Sequence, residues 1–212
     1  MKLSIVALLS PLCNYATSLA LPASQSAGSL NSKIFPRTWV PVASTYELDP
    51  DRPTPVEFMG QRFATYQDND GRWIVVDDAC PHRLAPLSEG RVDRDSGNLQ
   101  CSYHGWEFDS AGKCKRIPQM ASKAERAACS SKRACATTYP VHVEKNILWI
   151  WPWEEDVLSV AGDPSAHPEG ILKDISDDPQ TYTRDLPYGW DTLLENLIDP
   201  SHVPFAHHGM QG

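Results

Sequence analysis

No uninterrupted apolar run reaches about eighteen residues, the length a membrane-spanning helix needs, so the sequence holds no candidate span. Cysteine is sparse. Six in 212 residues are too few for a disulfide scaffold. Positive charge is in deficit, with 19 Lys and Arg against 27 Asp and Glu, a net charge of −8. A polyanion needs a basic footprint, so nucleic acid is excluded as a partner. Internal repeats are absent. What is there is ordinary globular composition, 41% hydrophobic and 22% charged, in a chain long enough for one or two domains.

Acidic residues are also missing before Glu47. Lys2 precedes the apolar run Leu3–Leu12, and Ser18-Leu19-Ala20 offers a small-residue cleavage site, the layout of a signal peptide. Leu21 to Lys33 is rich in Ser and Ala, which is transit-peptide character. Residues 1–33 therefore read as a signal followed by a plastid-targeting leader, and are set aside from the fold. A plain secretory signal is the alternative.

Residues 34–155 read as short strands and turns. Thr38–Val42 and Arg62–Tyr66 are strand-like, and Asp68-Asn69-Asp70-Gly71 joins Arg62–Tyr66 to Trp73–Val76 as a hairpin. Asn98–Cys101, Glu107–Asp109, Tyr139–Glu144 and Ile147–Trp153 complete a mainly β domain of small antiparallel sheets. Residues 156–180 read as an acidic linker. From 154 to 178 there are eight acids against Lys173, broken by Pro164 and Pro168. Over 181–212, Trp190, Leu193, Leu194, Leu197 and Ile198 recur at helical spacing, and Pro200 and Pro204 break or kink that helix. This last stretch reads as the opening of a second domain.

Two pairs carry the chemistry. Cys80-Pro81-His82 and Cys101-Ser102-Tyr103-His104 each follow a strand and sit at a loop tip. Two thiolates suit one iron, and two neutral imidazoles can hold a second. This is the Rieske [2Fe–2S] pattern, with Cys80 and Cys101 on one iron and His82 and His104 on the other. Zinc fingers instead place Cys with Cys and His with His, so a zinc site fits less well. Neither loop carries a further cysteine, and Trp106 follows Gly105 where electron-carrier Rieske proteins place a serine. Fewer donors to the cluster sulfurs imply a lower potential, as in oxygenases.

The second constellation is Asn196-Leu197-Ile198-Asp199-Pro200-Ser201-His202-Val203-Pro204-Phe205-Ala206-His207-His208. Two histidines and a carboxylate make the facial triad of non-haem Fe(II) oxygenases. His202 and His207 would point about 140° apart on one ideal helix. A kink at Pro204 is therefore expected, to turn both toward one metal. His208 is a lower-ranked substitute.

The chain thus resembles Rieske non-haem iron oxygenases, whose motif Asn/Asp-x2-Asp-x2-His-x4-His is matched by Asn196, Asp199, His202 and His207. The runs Cys80–Arg91, Tyr103–Trp106, Ile117–Gln119 and Leu193–His207 resemble the pheophorbide a oxygenase group of plastid enzymes. The resemblance implies a [2Fe–2S] cluster and a mononuclear Fe(II) held by His202, His207 and a carboxylate beyond Gly212. Asn196 would support that iron site. Asp199 would bridge it to the cluster of a neighbouring subunit in a homotrimer. The catalytic domain would be α+β, of helix-grip type, so the sequence reads as the N-terminal part of a longer enzyme. Membrane association would come only from a later C-terminal anchor. The implied activity is a ferredoxin-dependent monooxygenase that uses O₂ to open the ring of pheophorbide a, a tetrapyrrole. Chlorophyllide or protochlorophyllide is an alternative substrate. A Rieske electron carrier, or a redox-regulatory plastid import component without catalysis, is an alternative function.

Residues 113–133 hold seven basic side chains against Glu125. They read either as a docking patch for acidic ferredoxin or as a solvated loop. Cys114, Cys129 and Cys135 read as free thiols in a reducing plastid rather than as a redox pair. Trp149, Trp151 and Trp153 alternate on a strand and read as core rather than as a platform for a flat ligand.

Overall fold

The computed structural model describes residues 3–9, 38–58, 60–153 and 167–209. Residues 10–33 of the expected leader, and 156–166 of the expected linker, lie outside them. In chain order the first strands are β1 (Leu3–Leu9), β2 (Val40–Ser44), β3 (Thr54–Phe58), β4 (Gln61–Gln67) and β5 (Trp73–Asp77). The short strands β6 (Arg91–Val92), β7 (Leu99–Gln100), β8 (Glu107–Phe108) and β9 (Cys114–Arg116) follow. Then come α1 (Ser122–Cys129), β10 (Thr138–Tyr139), β11 (Val141–Glu144) and β12 (Ile147–Ile150). The chain continues through α2 (Pro168–Ile171), β13 (Gln180–Leu186), α3 (Trp190–Ile198) and α4 (Val203–Ala206). The architecture is mainly β and every strand pairing among the described residues is antiparallel.

The central sheet has the order β10-β5-β4-β3. Its β4–β5 hairpin closes as expected. Asp68 Oδ1 accepts the Asp70 and Arg72 N–H groups at 3.0 Å each, and its register runs from Phe63 opposite Asp77 to Gln67 opposite Trp73. β4 is buried continuously from Phe63 to Tyr66, because this sheet is covered on both faces. Phe63 and Val75 pack against Val40, Val42, Leu148 and Ile150 of the sheet β11-β12-β2. Ala64, Tyr66 and Val76 pack the other way, against Leu99 and Phe108 of the sheet β6-β7-β8-β9 and against Leu87, which follows the first cysteine loop. That second core sits directly beneath the two cysteine loops. Trp149, Trp151 and Trp153 are core, gathered with Trp39, Ile147 and Leu172.

Two expectations need correction, and two segments set apart from the fold carry regular structure. Residues 122–129 are a helix, not a loop, since Ala, Lys, Arg and Glu are good helix formers and four of the eight residues from Ala121 to Ala128 are alanine. Cys114 and Cys129 are a disulfide rather than free thiols. α1 brings their Cα atoms to 4.8 Å, inside bridging distance, while Cys135 stays free. Leu3–Leu9, set aside with the leader, pairs with β13 from Leu3 opposite Leu186 to Leu9 opposite Gln180. An apolar run rich in Leu, Ile and Val finds a strand edge when one is available. The end of the expected linker is ordered as well, with α2 packed beside β11.

Candidate metal centre

The two cysteine loops are one backbone design used twice. Cys80 N donates to the Ala85 carbonyl at 2.8 Å, and Leu84 N donates to the Cys80 carbonyl at 2.7 Å. In the other loop, Cys101 N donates to Trp106 O at 2.9 Å and Gly105 N to Cys101 O at 3.0 Å. Each loop therefore turns back five residues after its cysteine. The residue at the fourth step is left-handed in both, with φ 58° at Leu84 and 69° at Gly105. Glycine accepts that conformation freely. An exposed leucine does so only because the loop imposes it.

The design places the four donor side chains together. Cys80 and Cys101 are buried, free, and close enough to interact directly. Burial, foremost, and the Cys101 sulfur beside it push the Cys80 thiol up to about 11, against the pull of the His82 and Arg83 backbone N–H groups. A thiol held so high gives up its proton to a bound cation rather than to water. The His82 and His104 rings stand 4.7 Å apart between centroids. Partial loss of water around the ring, then the positive charges of His104 and Arg83, lower the His82 pKa, which favours the neutral, metal-binding imidazole. His104 Nδ1 is buried and has no hydrogen-bond partner among the described residues. An orphaned imidazole nitrogen beside two buried thiols fits a [2Fe–2S] cluster bound through two thiolates and two ring nitrogens.

Residues that carry no ligand atom hold the loops. Trp106 stacks on His82 with 4.8 Å between centroids and 5° between planes. Gln119 Nε2 donates to the His104 carbonyl at 2.7 Å, and a Cβ on Gly105 would lie 3.3 Å from Pro118. Buried Asp78 laces the first loop shut. It accepts from Ser88 N at 2.7 Å and Ser88 Oγ at 2.9 Å, and pairs with Arg62 at 3.0 Å. Gly90 lies so close to β7 that a Cβ there would meet the Gln100 carbonyl oxygen at 2.3 Å. None of these supports was foreseen from sequence. The only available signal was the Ile117-Pro118-Gln119 run, whose role is visible only once the fold brings it to Gly105.

The second constellation also converges. α3 ends at Ile198, Asp199 departs from helical backbone, and a 3₁₀ turn spans Pro200–His202 before α4. The break is therefore at Asp199–Pro200 and not at Pro204, which sits in the first turn of α4 where proline leaves a helix intact. His207 follows the last helical residue, and its ring centroid comes within 5.4 Å of that of His202. The Asp199 carbonyl takes the His202 Nδ1 hydrogen. That leaves Nε2 as the lone-pair nitrogen, and Asn196 Nδ2 points at it from 3.3 Å. The Ser201 hydroxyl, then its backbone N–H, hold the Asp199 carboxyl below its ordinary pKa. His208 makes no ring contact with either histidine among the described residues.

The seven basic side chains of residues 113–133 are all exposed. Arg116 pairs with Glu107 at 3.2 Å and Lys115 approaches Asp109 at 3.9 Å, while Lys113, Lys123, Arg126, Lys132 and Arg133 project from the surface.

Residues 38–140 match the Rieske [2Fe–2S] domain family. Pheophorbide a oxygenase of Arabidopsis thaliana is 47% identical over 180 residues, covering 82% of this chain and 33% of that protein. Flavonoid 8-hydroxylase 2 of Ocimum basilicum is 44% identical over 176 residues, covering 81% and 33%. The crystal structure of dicamba monooxygenase bound to dicamba superposes with a TM-score of 0.52 at 33% identity, covering 63% of this chain and 38% of that one. The chain thus spans about a third of the length of the curated relatives it matches.

Proposed function

We propose, for a chain that belongs to the Rieske oxygenase family in the group around pheophorbide a oxygenase, that it serves a plastid monooxygenase acting on a chlorophyll-derived tetrapyrrole, pheophorbide a, with O₂ and electrons from ferredoxin. The observation that carries this is the presence, on one chain, of the doubled cysteine–histidine loop and the Asn196–His207 cluster. A Rieske electron carrier needs only the first.

Cys80, Cys101, His82 and His104 are assigned to hold the [2Fe–2S] cluster, and His202 and His207 to hold a mononuclear iron. When bound, the cluster supplies one-electron transfer and the iron supplies dioxygen activation. The remaining work belongs to protein groups. Trp106 fixes the ring plane of exposed His82. The Asp199 carbonyl sets the tautomer of His202, so that Nε2 is the nitrogen that would bind the iron. Asn196 holds that same nitrogen and must yield it when iron binds. The Asp199 carboxylate, half exposed and anionic, is assigned to accept a hydrogen bond from a cluster histidine of a neighbouring copy. The cationic face around α1 is assigned to ferredoxin, whose acidic surface it complements.

The test is turnover of the full-length protein that carries this chain, loaded with cluster and iron, with reduced ferredoxin, O₂ and pheophorbide a, and products read by mass spectrometry. The reading predicts a product carrying oxygen from O₂ and an opened ring. A flavonoid hydroxylated in its place would move the substrate to the class named by the basil relative. Reduction of the cluster without any product would leave only an electron carrier.

A further inference from the structure

A third group of metal-binding side chains lies apart from both sites. β11 is the edge strand of the sheet β11-β12-β2, and α2 lies against it. His142 and Glu144 are two apart on β11 and so share a face. His167 caps the N-terminus of α2, and Glu169 stands in its first turn. Packing α2 on the strand brings these two pairs together. One ligand atom from each of His142, His167 and Glu169 lies within 4.8 Å of the others. The two imidazoles meet edge-on at 4.6 Å, and buried Trp39 flanks both, at 6.0 and 5.9 Å.

His142 Nε2 is the informative atom. It is buried and has no hydrogen-bond partner among the described residues. Such an orphan is unfavourable unless something binds it. Two carboxylates face it from beyond hydrogen-bonding reach, Glu144 at 3.6 Å and Glu169 at 4.0 Å, and His167 Nδ1 is 4.0 Å from the other Glu169 oxygen. Donors that surround a space without touching one another are spaced for an ion between them. Zinc bonds of about 2.0–2.2 Å to imidazole and carboxylate put neighbouring ligands about 3.3 Å apart. The gaps here are wider, 3.6–4.0 Å between imidazole and carboxylate atoms and up to 4.8 Å within the group, and the exposed Glu169 side chain can swing inward to narrow them. Two imidazoles with carboxylates suit zinc-class ions rather than calcium or magnesium.

We propose that His142, His167 and Glu169, with Glu144 as fourth donor, bind one zinc-class divalent ion that fastens α2 to the edge of the Rieske sheet. The test uses cluster-loaded protein stripped of loose metal, titrated with Zn(II) by calorimetry and with Co(II) by visible absorption. In a His202→Ala/His207→Ala background, which removes the other imidazole pair, one equivalent should bind, raise the melting temperature, and give a cobalt spectrum without thiolate bands. Binding should vanish in His142→Gln and His167→Gln. It should weaken at least tenfold in Glu169→Gln, a change at an exposed position that leaves the fold intact. Unchanged binding in all three variants, a thiolate signature, or no zinc-dependent shift in melting would each overturn the proposal.

Discussion

Asp78 is the residue whose loss should most damage the cluster loops without touching a ligand. In Asp78→Ala the buried Ser88 N–H loses its only anionic acceptor, the Ser88 hydroxyl loses its partner, and Arg62 loses its counter-charge. An unpaired buried N–H costs about 1–3 kcal/mol. The Arg62 side chain is 55% exposed and regains water, so the ion pair adds under about 1 kcal/mol. The expected loss is about 2–4 kcal/mol, or a fall of about 5–15 °C in melting temperature for a chain of this size. Because Asp78 and Ser88 bracket Cys80 and His82, iron–sulfur content should fall with it. Asp78→Asn keeps an oxygen for the Ser88 N–H and should recover about half of the loss. Thermal unfolding followed by circular dichroism, with iron and sulfide assays, reads both effects. A variant within about 0.5 kcal/mol of wild type, with full cluster content, would refute the lacing argument.

Gly90→Ala should destabilise by about 1–3 kcal/mol, because its Cβ would fall 2.3 Å from a backbone oxygen that cannot move aside; denaturant titration measures it. Burial pushes the Asp68 pKa up, but hydrogen bonds from the Arg72 N–H and guanidinium outweigh it and leave the pKa below its ordinary value. Its contribution to stability is therefore complete above about pH 4–5 and is lost as pH falls through the depressed value, so Asp68→Asn should flatten the acid limb of a stability–pH curve. Cys129→Ser should lower stability by about 3 kcal/mol, since the bridge to Cys114 closes a loop of 15 residues, and urea unfolding with and without reductant tests this. Asp199→Ala should retain both metals yet lose turnover, with metal analysis and product formation measured on the same sample.

The two Cys–His pairs that the fold brings together were legible because each is local. Each pair lies within four residues of sequence, and a thiolate beside an imidazole has few other uses. The hairpin at Asp68–Gly71 and the helix over Trp190–Ile198 were legible for the same reason, being written in turn chemistry and periodicity. What escaped depends on distant partners. The Asp78–Ser88–Arg62 lacing, the Trp106 stack and the Pro118 contact exist only after the sheets pack. The Cys114–Cys129 bridge requires α1, which was hidden because its residues were weighed for charge rather than for helix propensity. The pairing of β1 with β13 joins residues far apart in the chain, beyond any pattern read along it. At the second constellation the break was misplaced, because Pro204 falls where a helix begins.

The central claim is that Cys80, Cys101, His82 and His104 hold one two-iron cluster in the doubled loop. Pulsed EPR of the reduced protein, with ¹⁵N-histidine labelling, tests it most directly. The account predicts a single cluster coupled to two imidazole nitrogens, with one coupling lost on replacing either His82 or His104. A cluster without nitrogen coupling, or one whose couplings survive both replacements, would contradict it.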